Sequence, residues 1–185
     1  MIAFVFWSSP SAEVVSDAFE SLLRRFHKDL FVARSETFRA SASFRTESVP
    51  WMPSVRMMYE DWYVLRDFSG VDHLIDVVRK IDSDDASSPH VRLMQLTASG
   101  LGGVYALRSG QPQLQRTPHA WWFDAPSAGE VDEHIRTLDL GRRGVTFSLW
   151  VRSLGLGPAK FCLQASEALG DWGPFDAVHR VRTPL

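Results

Sequence analysis

Trp62-Tyr-Val-Leu65, followed by Arg66-Asp-Phe and then Ser69-Gly-Val-Asp72, decides the reading of this chain. Four large apolar residues in a row make a strand, and Ser69 with Asp72 has the spacing of a capping box. There the serine oxygen takes an orphan backbone N–H and the acid reaches back. The layout occurs twice more. Ala3-Phe-Val-Phe-Trp7 runs into Ser9 and Pro10, an N-cap with proline at the first helical position, and Ala120-Trp-Trp-Phe123 runs into Ser127 and Glu130, a further capping box. Each aromatic strand therefore feeds a helix.

The helices carry apolar stripes at the expected period. Val14, Val15, Ala18, Phe19, Leu22, Leu23 and Phe26 form one, opposite Glu13, Asp17, Glu20, Arg24 and Arg25. Val71, Leu74, Ile75, Val78 and Ile81 form the second, and Val131, Ile135 and Leu138 a thinner third. Between them lie period-two strands: Phe38, Ala40, Ala42 and Phe44, then, beyond Val49-Pro-Trp-Met-Pro53, Val55, Met57, Tyr59 and Asp61. His90–Thr97 and Gly103–Arg108 flank Ala-Ser-Gly-Leu-Gly as a hairpin. Another hairpin joins Val145–Val151 to Phe161–Ala165 across Leu154-Gly-Leu-Gly-Pro158, and Gly170 to Leu185 reads as an irregular tail. The expected fold is α+β, a largely antiparallel sheet with three helices on one face and a ferredoxin-like βαββαβ order in the first half. Residues 1–185 read as a single domain, with an internal βα duplication hinted at and a weak boundary near 109–118.

Composition sets the class. The chain has 185 residues, 45% hydrophobic and 23% charged, as in an ordinary globular protein. A formal net charge of −2 offers no surplus of cations for phosphates, so nucleic acid is disfavoured as a partner. No apolar run approaches the roughly 20 residues of a membrane helix, and Met1–Trp7 has no charged leader before it, so the cytoplasm is the expected compartment. The single Cys162 permits no internal disulfide.

The polar residues offer several candidate chemistries. His119, Asp124, Glu130 and His134 share one βα unit, yet Glu130 is wanted by the cap and no His-Glu-x-x-His spacing occurs. His119 and His134 are the nearest approach to a metal site, and neither a metal nor a cofactor is expected. Asp61, Asp67, Asp72 and His73 could serve acid–base work, against the plainer reading that they cap, loop and face water. Cys162 lies on the strand face of Lys160 and Gln164, with no nucleophile motif around it. Gly100-Leu-Gly-Gly103 and Gly155-Leu-Gly157 precede strands and lack the lysine of a phosphate loop, and Asp82-Ser-Asp-Asp85 lacks the glycine and glutamate of a calcium loop.

Aromatic content is the most unusual quantity: seven tryptophans, twelve phenylalanines and three tyrosines. Trp121 and Trp122 are adjacent and must point to opposite strand faces, as must Trp62 and Tyr63. Trp51 and Trp172 sit on expected loops. Trp51, Trp62, Trp121, Trp122 and Trp172 are therefore the candidate partner anchors.

Phe6-Trp7 before an amphipathic helix, Leu30-Phe-Val-Ala-Arg34, Gly144-Val-Thr-Phe-Ser-Leu-Trp150 and a proline-ended tail resemble the two ends of the immunity protein fifty-two type of bacterial polymorphic-toxin systems, with Val151-Arg152 where Asn-Gly is expected. The resemblance implies a cytoplasmic, non-catalytic antitoxin that binds and neutralises a cognate toxin. At fold level the element order also resembles the dimeric α+β barrels, in which two such units, here as a homodimer, enclose an aromatic pocket. That alternative implies an enzyme or a carrier of haem or another aromatic ligand, with Trp7, Trp62 and Trp121 as lining and His119 or His73 as its polar group. The expectation favours the binding module over the enzyme.

Overall fold

The computed structural model describes residues 1–33, 36–53, 57–84, 87–154, 159–170 and 172–185. Arg34, Val55, Asp85 and residues 155–158, where the sequence leads one to expect a turn, lie outside them. The elements are β1 (Ile2–Pro10), α1 (Ser16–Val32), β2 (Phe38–Thr46), β3 (Met58–Leu65), α2 (Ser69–Asp84), α3 (Pro89–Leu96), β4 (Thr97–Gly110), β5 (His119–Phe123), α4 (Ala128–Thr137), β6 (Phe147–Leu154), β7 (Phe161–Ala165), β8 (Ala177–Val181) and β9 (Thr183–Pro184).

One antiparallel sheet of nine strands runs in the order β8-β5-β7-β6-β4-β1-β3-β2-β9. The order β4-β1-β3-β2 is that of a ferredoxin-like unit, and β8-β5-β7-β6 repeats it with the second half's own strands. The edges β4 and β6 join the halves, with Ala106 opposite Val151. At the far edges, β8 pairs with β5 while the next residues pair with β2 as β9, so the sheet curls into a nearly closed barrel. The α+β class and ferredoxin-like order are as expected. Both units of the barrel lie within one chain, however, where the sequence reading took them from two copies.

Three local readings are corrected. His90–Thr97 is a helix and a strand start: Ser88 caps α3 by accepting from Val91 N at 3.1 Å, Pro89 opens it, and Leu93 is buried beneath. Gly100 and Gly102 are strand residues of β4, there because aromatic rings lie on them: a Cβ at Gly100 would meet Phe6 Cζ at 2.5 Å. Ser9 caps nothing, since β1 runs through Pro10 and the Ser9 hydroxyl donates to Met57 O at 3.1 Å. α1 begins later, buries Phe19, Leu23, Phe26 and Leu30, and also buries Glu20, which accepts from Tyr59 Oη at 3.3 Å.

The barrel interior is filled. Trp7, Trp62, Trp122 and Trp150 are fully buried with Tyr105, Phe44 and Cys162, and Trp7 meets Trp122 edge-on at 5.1 Å. Val49 and Met52 of the loop after β2 are buried in this core and Trp51 packs on it, 5.8 Å from Trp7. One ion pair crosses the interior. Glu60 Oε1 accepts from Arg182 Nη1 at 2.5 Å and from Trp62 Nε1 at 2.7 Å, and Oε2 accepts from Trp7 Nε1 at 3.1 Å. Arg182 also donates to Thr117 O at 2.5 Å and lies 4.2 Å over Phe44. The tail expected to be irregular thus supplies the cation that ties both edges of the barrel together.

No helix is long and apolar enough to cross a membrane among the described residues.

Candidate functional site

Helices α1, α2 and α3 cover the outer face of β1, β3 and β4. Along β3, Glu60 and Trp62 face the barrel while Tyr59, Asp61 and Tyr63 face the helices, as strand alternation requires. The stripe on α2 is only partly buried: Leu74, Ile75 and Val78 line a pocket of about 440 Å³, with Ile75 still 42% exposed. Phe4, Phe6 and Tyr63 form its floor, Phe19, Leu23 and Phe26 of α1 one wall, and Leu93 and Met94 of α3 another. A volume of this size and an apolar lining with few polar groups are the properties of a small-molecule site.

The polar groups come as two carboxylate–imidazole pairs. At the α2–α3 junction, Asp82 Oδ2 meets His90 Nδ1 at 2.8 Å, and Asp82 Oδ1 accepts from Ser88 Oγ at 2.6 Å. Ser88 also caps α3, so the helix start that fixes His90 also fixes its acid. With Nδ1 donating to Asp82, His90 keeps the other ring nitrogen, Nε2, as an acceptor on a ring that lines the pocket. On the floor, Asp61 Oδ1 accepts from His27 Nε2 at 3.2 Å, and the His27 ring lies parallel to Tyr63 with centroids 5.2 Å apart. Burial, and then the Asp61 charge, push the Tyr63 hydroxyl well above its usual range, so it stays a neutral phenol.

This arrangement sorts the sequence candidates. Asp61 does line the pocket, with His27 and not His73 as its partner. His73 is exposed and bonds Thr37 Oγ1 at 3.2 Å. Asp67 caps α2, accepting from Ser69 N and Ser69 Oγ, and these bonds, with Arg66, hold its carboxyl down to about 2. Asp82 is no calcium ligand, because both oxygens are taken by Ser88 and His90. His90 and His27 were missed because their partners are supplied by the fold.

The metal candidates do not assemble. His119 Nδ1 meets His179 Nε2 at 3.2 Å, His134 packs edge-on to Trp172, Asp124 accepts from Lys160 N, and Glu130 is engaged with Ser127. No group of three or more metal-ligating side chains exists among the described residues. Burial first of all lowers the His119 and His179 pKa values, and it raises that of the Cys162 thiol, which is sealed in the barrel and unsuited to nucleophilic work.

The anchors are corrected too. Trp62 is 0% exposed, Trp122 1%, Trp121 2% and Trp172 5%, so these four present no free face to a partner, while Trp51 packs on the barrel core and is half-buried. Trp7 and Trp62 fill the barrel instead of lining a cavity, and Trp121 faces the opposite way, against Trp172.

A haem fits the outer pocket poorly. Its two propionates would enter a lining that already holds the carboxylates Asp61 and Asp82, with Arg79 the one arginine or lysine in it among the described residues.

No family model matches the chain, and no curated protein matches it. Solved structures do. A monooxygenase-like protein of Fusobacterium nucleatum aligns over 100% of this chain and 92% of its own, at a TM-score of 0.65 and 9% identity. A monooxygenase-like protein of Lactobacillus acidophilus aligns over 99% and 93%, at 0.54 and 9%. A chlorite dismutase-like protein aligns over 100% and 94%, at 0.55 and 11%. The expected non-catalytic masking role is corrected by the buried anchors and by a fold shared with proteins named for enzymes; the chain has the ferredoxin-like α+β barrel fold, with both barrel units in a single polypeptide.

Proposed function

We propose that the chain is an enzyme acting on a small, largely apolar organic molecule held in the outer pocket of its first half, with His90 Nε2 as the proton acceptor. The observation that carries this reading is an imidazole fixed through Nδ1 by Asp82, set in the wall of an otherwise apolar pocket. The acid selects the tautomer and stabilises the imidazolium that forms, and the apolar walls keep water from competing for the proton. A substrate O–H or an activated C–H within reach of Nε2 would lose its proton there, leaving an electron-rich anion. The monooxygenase-like neighbours support oxidation of that anion by dioxygen, which accepts its electrons.

The test is oxygen uptake with a panel of electron-rich phenols, beside fluorescence titration of naphthalene-1-methanol as a neutral pocket probe. His90→Ala is expected to cut turnover about 10²- to 10⁴-fold. Asp82→Asn should cut it less, and probe affinity should change little in either. Uptake unchanged in His90→Ala would remove His90 from the chemistry, and no probe binding would remove the pocket.

A further inference from the structure

Asp61 is out of place in this pocket. Its side chain is 3% exposed, and it lies on the floor beside Phe6, its cross-strand partner, and Tyr63. Oδ1 is bonded to His27, while Oδ2 takes no hydrogen bond among the described residues. His27 Nδ1 is buried with no partner among the described residues, so the ring meets this cluster through the single Nε2 contact to Asp61 Oδ1. Arg79, the lining's arginine, is exposed and paired with Asp76 at 3.5 Å. A nearly buried carboxylate with one oxygen left open in an apolar lining is costly unless a donor meets that oxygen.

We infer that Asp61 is the recognition point for a protonated amine, and that the ligand of this pocket is an aromatic or alicyclic amine whose apolar body lies on Phe4, Phe6 and Tyr63. The ammonium donates to Asp61 Oδ2, and the surrounding phenylalanine and tyrosine rings add cation–π attraction. The inference rests on the pocket reading above and deepens it by naming the ligand class.

Three probes of one ring system test it by fluorescence titration at pH 7: 1-naphthylmethylamine, naphthalene-1-methanol and 1-naphthoate. The amine is expected to bind about 10- to 100-fold tighter than the alcohol, the range for a hydrogen bond to a charged group, and the carboxylate most weakly. Asp61→Asn keeps an acceptor for His27 and should abolish the amine's advantage over the alcohol. An amine no tighter than the alcohol in the wild-type chain, or a preference that survives Asp61→Asn, overturns the inference and leaves the pocket standing. Leu93→Trp fills the pocket. If the alcohol does not bind the wild-type chain, or binds equally after Leu93→Trp, the pocket reading itself falls and the inference with it.

Discussion

Arg182→Met tests how the barrel is held shut. Arg182 and Glu60 are each fully buried, so no solvent screens the pair, and the substitution keeps an apolar stem while stranding the Glu60 carboxylate with only the Trp7 and Trp62 N–H groups. Removing one partner of a buried pair costs about 3–5 kcal/mol, most of it the penalty on the charge left behind. Thr117 O loses its donor and Phe44 its cation in the same step. Against a domain stability of about 5–15 kcal/mol this is a large fraction. Urea unfolding followed by tryptophan fluorescence measures it directly, because Trp7, Trp62, Trp122 and Trp150 all report from the barrel interior. Adding Glu60→Gln removes the stranded charge and keeps an acceptor for one of the two indoles, so the double variant should be more stable than Arg182→Met alone by about 1–3 kcal/mol. A single variant that loses under about 1 kcal/mol, the range of exposed pairs, refutes the account, as does a double variant no better than the single.

Acid sensitivity should trace to the His119–His179 contact. Burial lowers both folded pKa values below the unfolded value near 6.5, so between the two the unfolded chain binds more protons; stability is full above about pH 6.5 and falls as pH drops through that window. His179→Gln should flatten this slope in urea melts taken from pH 7.5 to 5, and an unchanged slope would place the sensitivity elsewhere. Gly100→Ala forces the Phe6 ring away from β4, with an expected loss of about 1–3 kcal/mol for overpacking and weaker binding of naphthalene-1-methanol; unaltered stability and affinity together would show that the ring is not held there. Trp172→Ala removes a ring that lies 5.0 Å from Phe123 and 5.9 Å from Trp121, costing about 3–5 kcal/mol in the same melts. It should leave probe binding in the first half intact, and a loss of both would contradict the separation of the two outer faces.

What the sequence made legible was local. Ser127 with Glu130 is a working cap, with Glu130 N donating to Ser127 Oγ at 3.2 Å, and the α2 stripe of Leu74, Ile75 and Val78 points inward as its period requires. The failures have physical causes. Glycines at 100 and 102 read as a turn, although their role is to let Phe6 and Phe4 lie on the strand, a need set by residues far away in the chain. Once those glycines are taken for a turn, His90–Leu96 is forced into a strand, and the Ser88-Pro89 helix start goes unread. The pocket was invisible for a related reason. Asp61 and His27 are 34 positions apart and meet only across a helix–sheet packing. His90 and Asp82 are eight apart, in a segment whose acids and serines look like solvated linker. Counting aromatics showed that large apolar area needed a place, but only barrel closure, completed by Arg182 in the presumed loose tail, shows that most of it goes inside.

Joining both ferredoxin-like units in one chain changes what each outer face is free to become. In a barrel made of two copies, any pocket under one set of helices appears under the other as well. Here the strand orders match but the coverings do not. The first half is covered by three helices whose stripes stop short of closing over Phe4, Phe6 and Tyr63. Among the described residues the second has only α4, beside which Trp172 packs against both Trp121 and Phe123, and Phe123 stacks on Phe175 at 5.3 Å. The shared tryptophan interior binds the halves into one body, so the packed second face can supply stability while the first gives up contacts to leave room for a ligand. Placing Asp61 and Asp82 in a lining that is otherwise apolar is destabilising by itself. Such an arrangement persists where it does work that a closed core would not, and among the described residues the first half alone carries it.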